Sequence, residues 1–460
     1  MAALHVWMNG QHVGLWTTSR GGVPLFQYDP AWTQAPSARA LSLSLPMTAG
    51  AAEHRGDVVA HYFENLLPDS VDIRKRLGAR FKTRSTSAFD LLAAIGRDCV
   101  GAVQLLPEGM EPQGWNLVEA SPLNDEQVER FLKNATTAAP LGQRAEEGGD
   151  DDFRISIAGA QEKTALLRFG GTWHRPLGAT PTTHILKLPL GRVGNMQADM
   201  SNSVENEWLC AQIVRELGLP VAHVAMARFG AQRALVVERF DRRWQGVASG
   251  VQDEPGFLPP RSAWVARLPQ EDLCQAMGTS PTLKYEADGG PSMPACLAVL
   301  AGSEQADMDR AHFALAHFAF WLLAATDGHA KNFSIFHLRG GGFRLTPLYD
   351  VLSAWPILGE GSNRISEHAA KLAMALHAKN THYKLREIRA RHWRILAQRC
   401  GAPGAWDRMI QMALGTEPAL GRVQASLPAD FPAPLWEAVQ AGMTRHAAQF
   451  LREVESLGPA

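Results

Sequence analysis

The pattern of apolar and polar positions predicts short strands and helices near the start of the chain. Residues 4–8 and 12–16 are β-prone runs separated by Asn9 and Gly10, a pair typical of a tight hairpin turn. The other elements predicted in this region are one strand and two helices, at residues 40–45, 60–67 and 88–95. We therefore expect a small α+β unit in residues 1–110.

The pattern changes twice further along the chain. Residues 111–152 are predicted to be a connecting segment, because they include a polar, acidic, glycine-containing loop. A strand-rich unit is expected at residues 153–245 and a mainly helical unit at residues 262–460. The segment 246–260 between them is rich in glycine and proline, which is typical of a surface excursion.

The most informative stretch begins where a long apolar helix is expected to end. Residues 311–325 are almost all apolar, which is typical of a buried helix of about four turns. The loop after this helix carries Asp327 and Asn332. Two β-prone runs joined by an Arg-Gly-Gly-Gly turn follow within residues 333–348, so a hairpin is predicted to bring Asp350 back beside Asn332.

These three side chains match the requirements of phosphoryl transfer. A kinase needs a carboxylate that orients and deprotonates the accepting hydroxyl, and an amide and a second carboxylate that bind Mg²⁺ on the ATP phosphates. The spacing from Asp327 to Asn332 equals that of the protein-kinase catalytic loop. An Asx turn or helix cap at Asp327 would fit the short pattern equally well, since Asp-Gly pairs are common in turns. The hairpin-spaced Asp350 favours the kinase.

Groups that could hold a nucleotide precede this loop. A small-residue loop separates β-prone runs at residues 154–157 and 164–169; it lacks the Walker A and G-x-G-x-x-G patterns, and an ordinary hairpin tip would look similar. Lys187 lies in an apolar strand, where an ammonium must reach solvent or meet an anion. Glu205 or Glu207 of the next predicted helix could pair with it, and Glu207 is preferred because Trp and Leu follow it.

A third nucleotide-binding feature is the strand predicted at residues 234–238. This apolar run stops abruptly at charged residues, as does the strand before the hinge that holds adenine in a two-lobed kinase. An edge strand that leaves its sheet would show the same pattern and would predict nothing about adenine.

Motifs along nearly the whole chain resemble those of the HipA-type serine/threonine kinases, the toxins of bacterial type II toxin–antitoxin systems. In chain order they are FENLLPD at 63–69, ISIAGAQEKT at 155–164, THILKLP at 183–189, VERFDRR at 237–243, RLPQED at 267–272, KYE at 284–286, DGGP at 288–291, DGHAKNFS at 327–334 and LYD at 348–350. The resemblance implies an α+β, two-lobed protein-kinase-like fold with a small N-terminal α+β subdomain, a small lobe and a mainly helical C-terminal lobe.

The resemblance also implies roles for individual residues. Asp327 corresponds to the catalytic base, and Asn332 and Asp350 to the Mg²⁺ ligands. Lys187 corresponds to the nucleotide-binding lysine, and Ser156 to the serine that such kinases autophosphorylate, which ejects the phosphate loop and inactivates the enzyme. The remaining positions expected near ATP are the phosphate loop, the adenine hinge and two further residues: Ala158, Gly159, Ala160, Gln161, Glu162 and Lys163; Glu238, Arg239 and Phe240; His329 and Tyr349.

A partner and a target are implied in the same way. Such toxins phosphorylate a translation component, and this arrests growth. The expected target is an aminoacyl-tRNA synthetase such as glutamyl-tRNA synthetase. A small HipB-like helix-turn-helix antitoxin is expected to neutralise the kinase and to bring it to operator DNA as a co-repressor. The alternative is a catalytically weak module that acts mainly as co-repressor; the intact set of Lys187, Asp327, Asn332 and Asp350 favours the enzyme.

Composition contributes mainly by exclusion. The 460 residues predict about three domain-sized units, and a net charge of −1 disfavours nucleic-acid binding by the chain alone. Five scattered cysteines without C-x-x-C, and the lack of a signal peptide or an eighteen-residue apolar run, are typical of a cytoplasmic protein without a membrane span. His312 and His317 lack the four-residue spacing of a zinc-binding helix, so packing is expected there.

Overall fold

The structure is a computed structural model that describes residues 3–47, 53–136, 158, 161–194 and 197–458. It divides into two compact units, each built from several stretches of the chain. Unit 1 comprises Met1–Leu188, Ala227–Thr282 and Phe336–Gly342, and unit 2 comprises Pro189–Met226, Leu283–Ile335 and Phe343–Ala460.

The described chain contains both strands and helices, and its last four elements are all helices. The strands are β1 (Ala3–Met8), β2 (Gln11–Thr18), β3 (Pro24–Tyr28), β4 (His54–Arg55), β5 (Val103–Pro107), β6 (Ala120–Leu123), β7 (Lys163–Phe169), β8 (Thr172–Pro176), β9 (His184–Lys187), β10 (Gly191–Val193), β11 (Ala198–Met200), β12 (Val224–Phe229), β13 (Gln232–Glu238), β14 (Arg242–Gln245), β15 (Trp264–Arg267), β16 (Gln270–Asp272), β17 (Ser334–His337), β18 (Phe343–Leu345), β19 (Lys371–His377) and β20 (Thr381–Lys384). The α-helices are α1 (Pro30–Gln34), α2 (Asp57–Glu64), α3 (Val71–Phe81), α4 (Ala88–Ile95), α5 (Asp125–Ala135), α6 (Ser203–Glu216), α7 (Leu273–Ala276), α8 (Met293–Leu300), α9 (Ala306–Leu323), α10 (Ala390–Arg399), α11 (Ala405–Leu414), α12 (Thr416–Ala425) and α13 (Ala433–Leu457).

Unit 1 begins with an antiparallel sheet in the order β4-β3-β2-β1-β5. The predicted hairpin between β1 and β2 is confirmed: Asn9 and Gly10 have φ values of 46° and 77°, which the mirror-image hairpin turns require. Trp16 of β2 stacks on Phe63 of α2 with 3.8 Å between ring centroids. The predicted helices near residues 60–67 and 88–95 are also confirmed, as α2 and α4.

The strand predicted at residues 40–45 is wrong. This stretch forms a turn closed by an isolated bridge between Ser42 and Leu45. Side chains from distant parts of unit 1 bind its backbone, since the Leu41 N–H donates to the Tyr28 hydroxyl at 2.6 Å and the Leu43 N–H donates to the Glu271 carboxylate at 2.8 Å. Tertiary hydrogen bonds therefore replace the strand ladder that the alternating pattern suggested.

A second sheet of unit 1 has the order β12-β13-β9-β7-β8-β6. The predicted strands at residues 164–169 and 234–238 correspond to β7 and β13, and the predicted apolar strand that carries Lys187 corresponds to β9. Helix α5 begins at an Asn124–Gln127 capping box and packs Val128 and Leu132 into the apolar layer of this sheet. In this order β9 and β13 are interior strands of the sheet. Lys187 lies at the end of β9 and the predicted adenine-binding segment at the end of β13, so both are attached to rigid elements.

The glycine- and proline-rich segment 246–260 lies on the surface of unit 1, with Leu258 80% exposed. It is nevertheless fastened to the turn between β7 and β8, because Gly170 donates to the Gln252 carbonyl at 2.8 Å and accepts from Gly256 at 3.0 Å. The Phe257 ring packs edge-on against Trp244, with 6.0 Å between centroids. The segment is thus an ordered excursion.

Helix α9 is the central element of unit 2. Every residue from 313 to 323 is buried, which confirms the predicted core helix. The Trp321 ring stacks on His446 of α13 at 4.4 Å, and Phe318 lies 4.7 Å from Phe450 of the same helix. His317 is a core residue, as expected: its Nδ1 donates to the Phe313 carbonyl at 2.9 Å, and its ring stacks on Phe333.

The hairpin that follows α9 is confirmed. Strands β17 and β18 are joined by a short 3-10 turn at Arg339–Gly341, and the Thr346 N–H donates to the Ser334 carbonyl at 2.9 Å. All five cysteines are buried. Within the described ranges, no helix has both the length and the apolar character that a bilayer crossing requires.

Candidate active site

The loop after α9 is fixed to the core of unit 2. Helix α9 ends at Leu323, and its C-cap residue Ala324 is left-handed with a φ of 48°. The Ala325 N–H donates to the Phe320 carbonyl at 2.7 Å. At Gly328 a Cβ atom would lie 2.5 Å from the Phe320 ring. Only glycine fits this approach, so the residue beside Asp327 is pressed onto the buried helix.

Hydrogen bonds hold Asp327 and Asn332 together. The Asn332 amide Nδ2 donates to the Asp327 backbone carbonyl at 2.8 Å, and the Asn332 N–H donates to the His329 carbonyl at 2.9 Å. A carbonyl only accepts, so the amide nitrogen of Asn332 is committed to this bond. The amide oxygen is therefore the atom that Asn332 has left for a cation. The structure thus brings together Asp327 and Asn332, the two candidate residues of this loop.

The Asp327 carboxylate faces solvent, with 59% of its side chain exposed. Its Oδ1 accepts a hydrogen bond of 2.5 Å from the Tyr285 hydroxyl, and its Oδ2 lies 3.9 Å from His329 Nε2. The His329 ring is buried and meets the Tyr285 ring edge-on, with 5.1 Å between centroids. Sequence reasoning used Tyr285 only as part of the KYE motif and gave it no role at the site.

Tyr349 ties the start of the Asp350 segment to the loop. Its hydroxyl donates to the Lys331 carbonyl at 2.8 Å and lies 2.6 Å from the Ser334 hydroxyl. The hairpin therefore returns the chain to the residue next to Asn332, as the spacing predicted. Asp350 has a φ of 60°, a left-handed conformation uncommon for residues other than glycine and concentrated at functional sites.

The chain beyond Asp350 is fastened to two helices of unit 2. The Asn206 amide of α6 donates to the Ser353 carbonyl at 2.8 Å and accepts from the Ser353 N–H at 2.9 Å. The Ser353 hydroxyl donates to the Leu323 carbonyl of α9 at 2.6 Å. Glu205 and Glu207 flank Asn206 on α6 and are both buried, so burial does not separate the two candidates for pairing with a lysine.

The predicted phosphate loop and lysine lie in unit 1. Lys187 is buried at the end of β9, where it is paired in register with Lys163 of β7. The Leu188 N–H donates to the Glu162 carbonyl at 3.1 Å, and the Gln161 side chain donates to the Leu188 carbonyl, so the end of the loop is bound to the lysine strand. The Lys163 ammonium donates to the Ala158 carbonyl. Ser156, Gly159 and Ala160 lie outside the described residues.

The predicted adenine hinge begins at Glu238, the last residue of β13. Glu238 is exposed, and the Phe240 ring packs edge-on against Phe336 with 5.8 Å between centroids. Arg239 was expected to lie near the nucleotide. Instead its side chain is buried, and its backbone N–H donates to the Thr183 carbonyl at 2.9 Å. Its guanidinium binds Asp98 and Asp241. These bonds commit Arg239 to the interior of unit 1.

Arg239 belongs to a buried ion cluster of unit 1 formed by two carboxylates and three guanidiniums. Asp98 accepts from Arg242 at 2.9 Å and from Arg267 at 3.0 Å, besides Arg239 at 3.2 Å. Burial raises the pKa of Asp98, but the three guanidiniums outweigh this effect and hold that pKa well below its usual value of 3.8. The sequence offered no signal for this cluster.

The fold has a known counterpart. HipA from Shewanella oneidensis, in a complex with HipB and its operator DNA, superposes with a TM-score of 0.75 over 98% of each chain at 22% identity. The fold is thus the α+β, two-lobed protein-kinase-like fold that the sequence predicted.

Sequence comparisons give the family. The model of the HipA-like C-terminal domain matches residues 155–419, and that of the HipA N-terminal domain matches residues 4–106. The chain belongs to the HipA family. It is 32% identical over 91% of each chain to the putative kinase Y4mE of Sinorhizobium fredii. It is 27% identical, over 71% of this chain and 69% of the relative, to the serine/threonine-protein kinase toxin HipA of Shewanella oneidensis.

Proposed function

We propose that this chain is an ATP- and Mg²⁺-dependent serine/threonine protein kinase that acts as a toxin. The observation that carries the proposal is the loop in which Asn332 binds the Asp327 carbonyl and leaves the Asp327 carboxylate exposed. A base in such a loop needs a fixed backbone and an accessible carboxylate, and this loop has both. Membership of a family whose relatives are named kinases supports the same assignment.

In unit 2, Asp327 orients the serine or threonine hydroxyl of the acceptor and takes its proton. Asn332 and Asp350 supply an amide oxygen and a carboxylate, the hard oxygen ligands that Mg²⁺ prefers, so these residues fit the metal. Bound Mg²⁺ neutralises charge on the ATP phosphates. His329 and Tyr349 are the further residues of this unit that we assign to nucleotide binding.

In unit 1, residues 158–163 cover the phosphates and Lys187 binds them, while Glu238 and Phe240 belong to the adenine-binding segment. Arg239 is left out of the proposed contacts because its polar groups are bonded within unit 1. Glu207 is the proposed partner of Lys187. We propose four functional segments: an N-terminal subdomain at 1–110, a connection at 111–152, a small lobe at 153–245 and a large lobe at 262–460.

Ser156 is the proposed off switch. A phosphate on this residue adds about −1.5 to −2 charges two positions before Ala158, where the phosphates of ATP must be held. Repulsion between the two phosphate groups favours release of the loop, so one modification removes ATP binding without changing Asp327. ATP affinity of protein fully phosphorylated at Ser156, verified by mass spectrometry, tests this switch, and an unchanged affinity contradicts it.

The proposed partners are a HipB-like helix-turn-helix antitoxin and, through it, operator DNA. The complex of the Shewanella relative supports this assignment. With a net charge of −1, the chain should release few counterions from DNA and should not bind an operator alone at physiological salt. A gel shift with the chain alone tests this, and specific binding without antitoxin contradicts it.

The proposed target is a translation component, with an aminoacyl-tRNA synthetase, and glutamyl-tRNA synthetase in particular, as the expected acceptor. Phosphorylation of such a target would arrest growth. The second candidate function is a weakly catalytic co-repressor. The operator complex of the relative is the observation that favours it, because that complex contains DNA as well as HipB.

The deciding experiment is incubation of the purified chain with γ-labelled ATP, Mg²⁺ and a cell lysate, followed by identification of labelled proteins. Label on a lysate protein that disappears in Asp327→Ala and persists in Asp430→Ala supports the kinase. Asp430 is a matched control because it is an exposed aspartate far along the sequence from the loop. No label with wild type, together with operator repression in the presence of antitoxin, supports the co-repressor.

A further inference from the structure

The proposed base has a neighbour without an assigned role. We propose that Tyr285 is a positioning residue for Asp327, which fixes the carboxylate so that Oδ2 meets the acceptor hydroxyl. This inference rests on the proposed kinase function. Its basis is the 2.5 Å hydrogen bond from the Tyr285 hydroxyl to Asp327 Oδ1.

Asp327 needs an external constraint. Its side chain is 59% exposed, and an exposed carboxylate rotates among several conformers unless a partner selects one. The backbone bonds of the loop fix the Asp327 main chain but not its carboxylate. A donor on Oδ1 selects one orientation and leaves Oδ2 for the substrate, which is the geometry that general-base catalysis requires.

Tyr285 is itself held rigidly. The next residue, Glu286, has a side chain only 8% exposed, and it accepts from the Ala375 N–H at 2.7 Å and from His377 Nε2 at 2.5 Å, both on β19. A tight turn follows, in which the Gly290 N–H donates to the Tyr285 carbonyl at 3.0 Å. A Cβ atom at Gly290 would lie 1.9 Å from the Leu283 carbonyl oxygen, so the turn requires glycine.

Two contacts orient the Tyr285 ring. The buried His329 ring meets it edge-on at an interplanar angle of 83°, and the Lys284 ammonium lies 5.4 Å from its centroid. The phenol is therefore presented to Asp327 from an anchored segment with a restrained ring. This arrangement distinguishes a positioning residue from a surface tyrosine that meets a carboxylate by chance.

The same bond could instead obstruct the base. Positioning fits the geometry better, because Tyr285 occupies only Oδ1 of the Asp327 carboxylate. The other oxygen, Oδ2, lies 3.9 Å from His329 Nε2 and is left for the acceptor hydroxyl. The two possibilities predict opposite effects on turnover. Loss of the hydroxyl lowers kcat if Tyr285 positions the base and raises kcat if it obstructs the base.

The test is Tyr285→Phe, which keeps the ring and removes the hydroxyl. We expect kcat for phosphorylation of a peptide or protein acceptor to fall about tenfold, with KM for ATP within about twofold, because orientation of the base is lost while nucleotide binding is not. Tyr383→Phe is the matched control on β20 of the same unit and should leave both constants unchanged. Unchanged or increased kcat in Tyr285→Phe overturns the inference.

Glu286→Gln tests the anchoring of Tyr285. This variant should lower kcat less than Tyr285→Phe does, and its effect should vanish when Tyr285 is already Phe. A full additional loss in the double variant of Glu286→Gln and Tyr285→Phe contradicts the positioning role.

Failure of the inference is separable from failure of the proposed function. Absence of phosphoryl transfer by the wild type, with both antitoxin and Mg²⁺-ATP controlled, counts against the kinase. The hydrogen bond is then tested without activity, by comparing unfolding temperatures of Tyr285→Phe, Asp327→Ala and the double variant. A double-variant shift smaller than the sum of the single shifts supports the bond, and strict additivity overturns it.

Discussion

Replacement of Asp98 should test the buried ion cluster of unit 1 most sharply. The cluster contains Asp98 and Asp241 with Arg239, Arg242 and Arg267, so three positive and two negative groups give a buried net charge of +1. Without Asp98 the buried charge becomes +2, and three guanidiniums share one carboxylate. Truncating one partner of a buried ion pair destabilises proteins by about 3–5 kcal/mol. Asp98→Ala should therefore lower the free energy of unfolding by at least about 3 kcal/mol.

The assay is urea unfolding of Asp98→Ala and Asp98→Asn beside the wild type. Asn retains one acceptor oxygen, so its loss should be smaller than that of Ala. Asp72→Ala is the matched control, because this aspartate of unit 1 is 82% exposed and lies 3.9 Å from Lys75, an arrangement worth under about 1 kcal/mol. A loss in Asp98→Ala no larger than that in Asp72→Ala would refute the reasoning.

The sign of the pH dependence provides a second check on Asp98. The folded state holds the pKa of Asp98 below 3.8, so its stabilising contribution is present above the unfolded pKa and is lost only as pH falls toward the folded pKa. The difference between wild type and Asp98→Asn should therefore stay constant at neutral pH and shrink only below about pH 4.

Three further predictions follow from unit 2. Asp327→Ala and Asp350→Ala should each abolish phosphoryl transfer without loss of fold, and ATP affinity, measured by calorimetry, should fall more for Asp350→Ala; wild-type transfer by either variant contradicts the site assignment. Gly328→Ala should lower the free energy of unfolding by about 1–3 kcal/mol and reduce transfer, since its Cβ would lie 2.5 Å from the Phe320 ring. Gly421→Ala in α12 should be neutral or stabilising, because a Cβ there would meet no atom within 4 Å outside the neighbouring backbone of its own helix. Burial lowers the pKa of His446 from 6.5 to about 4. Between these pH values His446 binds a proton in the unfolded chain but not in the folded one. The free energy of unfolding should therefore fall as pH drops from about 6.5 to 4, by up to roughly 3 kcal/mol for this residue. His446→Gln, which can still donate to the Trp321 carbonyl, should remove that part of the slope in thermal unfolding, and an unchanged slope refutes the assignment.

Features set by neighbouring residues could be predicted from the sequence. The Asn9-Gly10 hairpin, the buried helix α9 and the hairpin that leads to Asp350 all depend on contacts within a few residues. The stretch at residues 40–45 was misjudged because Tyr28 and Glu271, the latter more than 200 residues away, bind its backbone. Local periodicity cannot reveal such partners.

The site shows the same limit. Asp327 and Asn332 are five positions apart, and their place in one loop could be expected from spacing; the structure adds the hydrogen bond between them. Tyr285 is 42 positions from Asp327, and only the fold brings the two together. The family resemblance implied that Arg239 lies near adenine, but its partner Asp98 is 141 residues away and binds the guanidinium in the interior of unit 1. Long-range ion pairs leave no periodic signal in one sequence.

The paired bonds between Asn206 and Ser353 have a mechanical consequence. An amide that both donates to and accepts from one backbone residue loses both bonds if either side slides or turns. Helix α6 and the chain beyond Asp350 are therefore coupled, and the Ser353 hydroxyl extends the coupling to the end of α9. At its far end, α6 presents Glu216 to Arg422 of α12. Any sliding or turning of α6 relative to the chain beyond Asp350 would therefore break both Asn206–Ser353 bonds, so the position of this helix and that of the segment are linked.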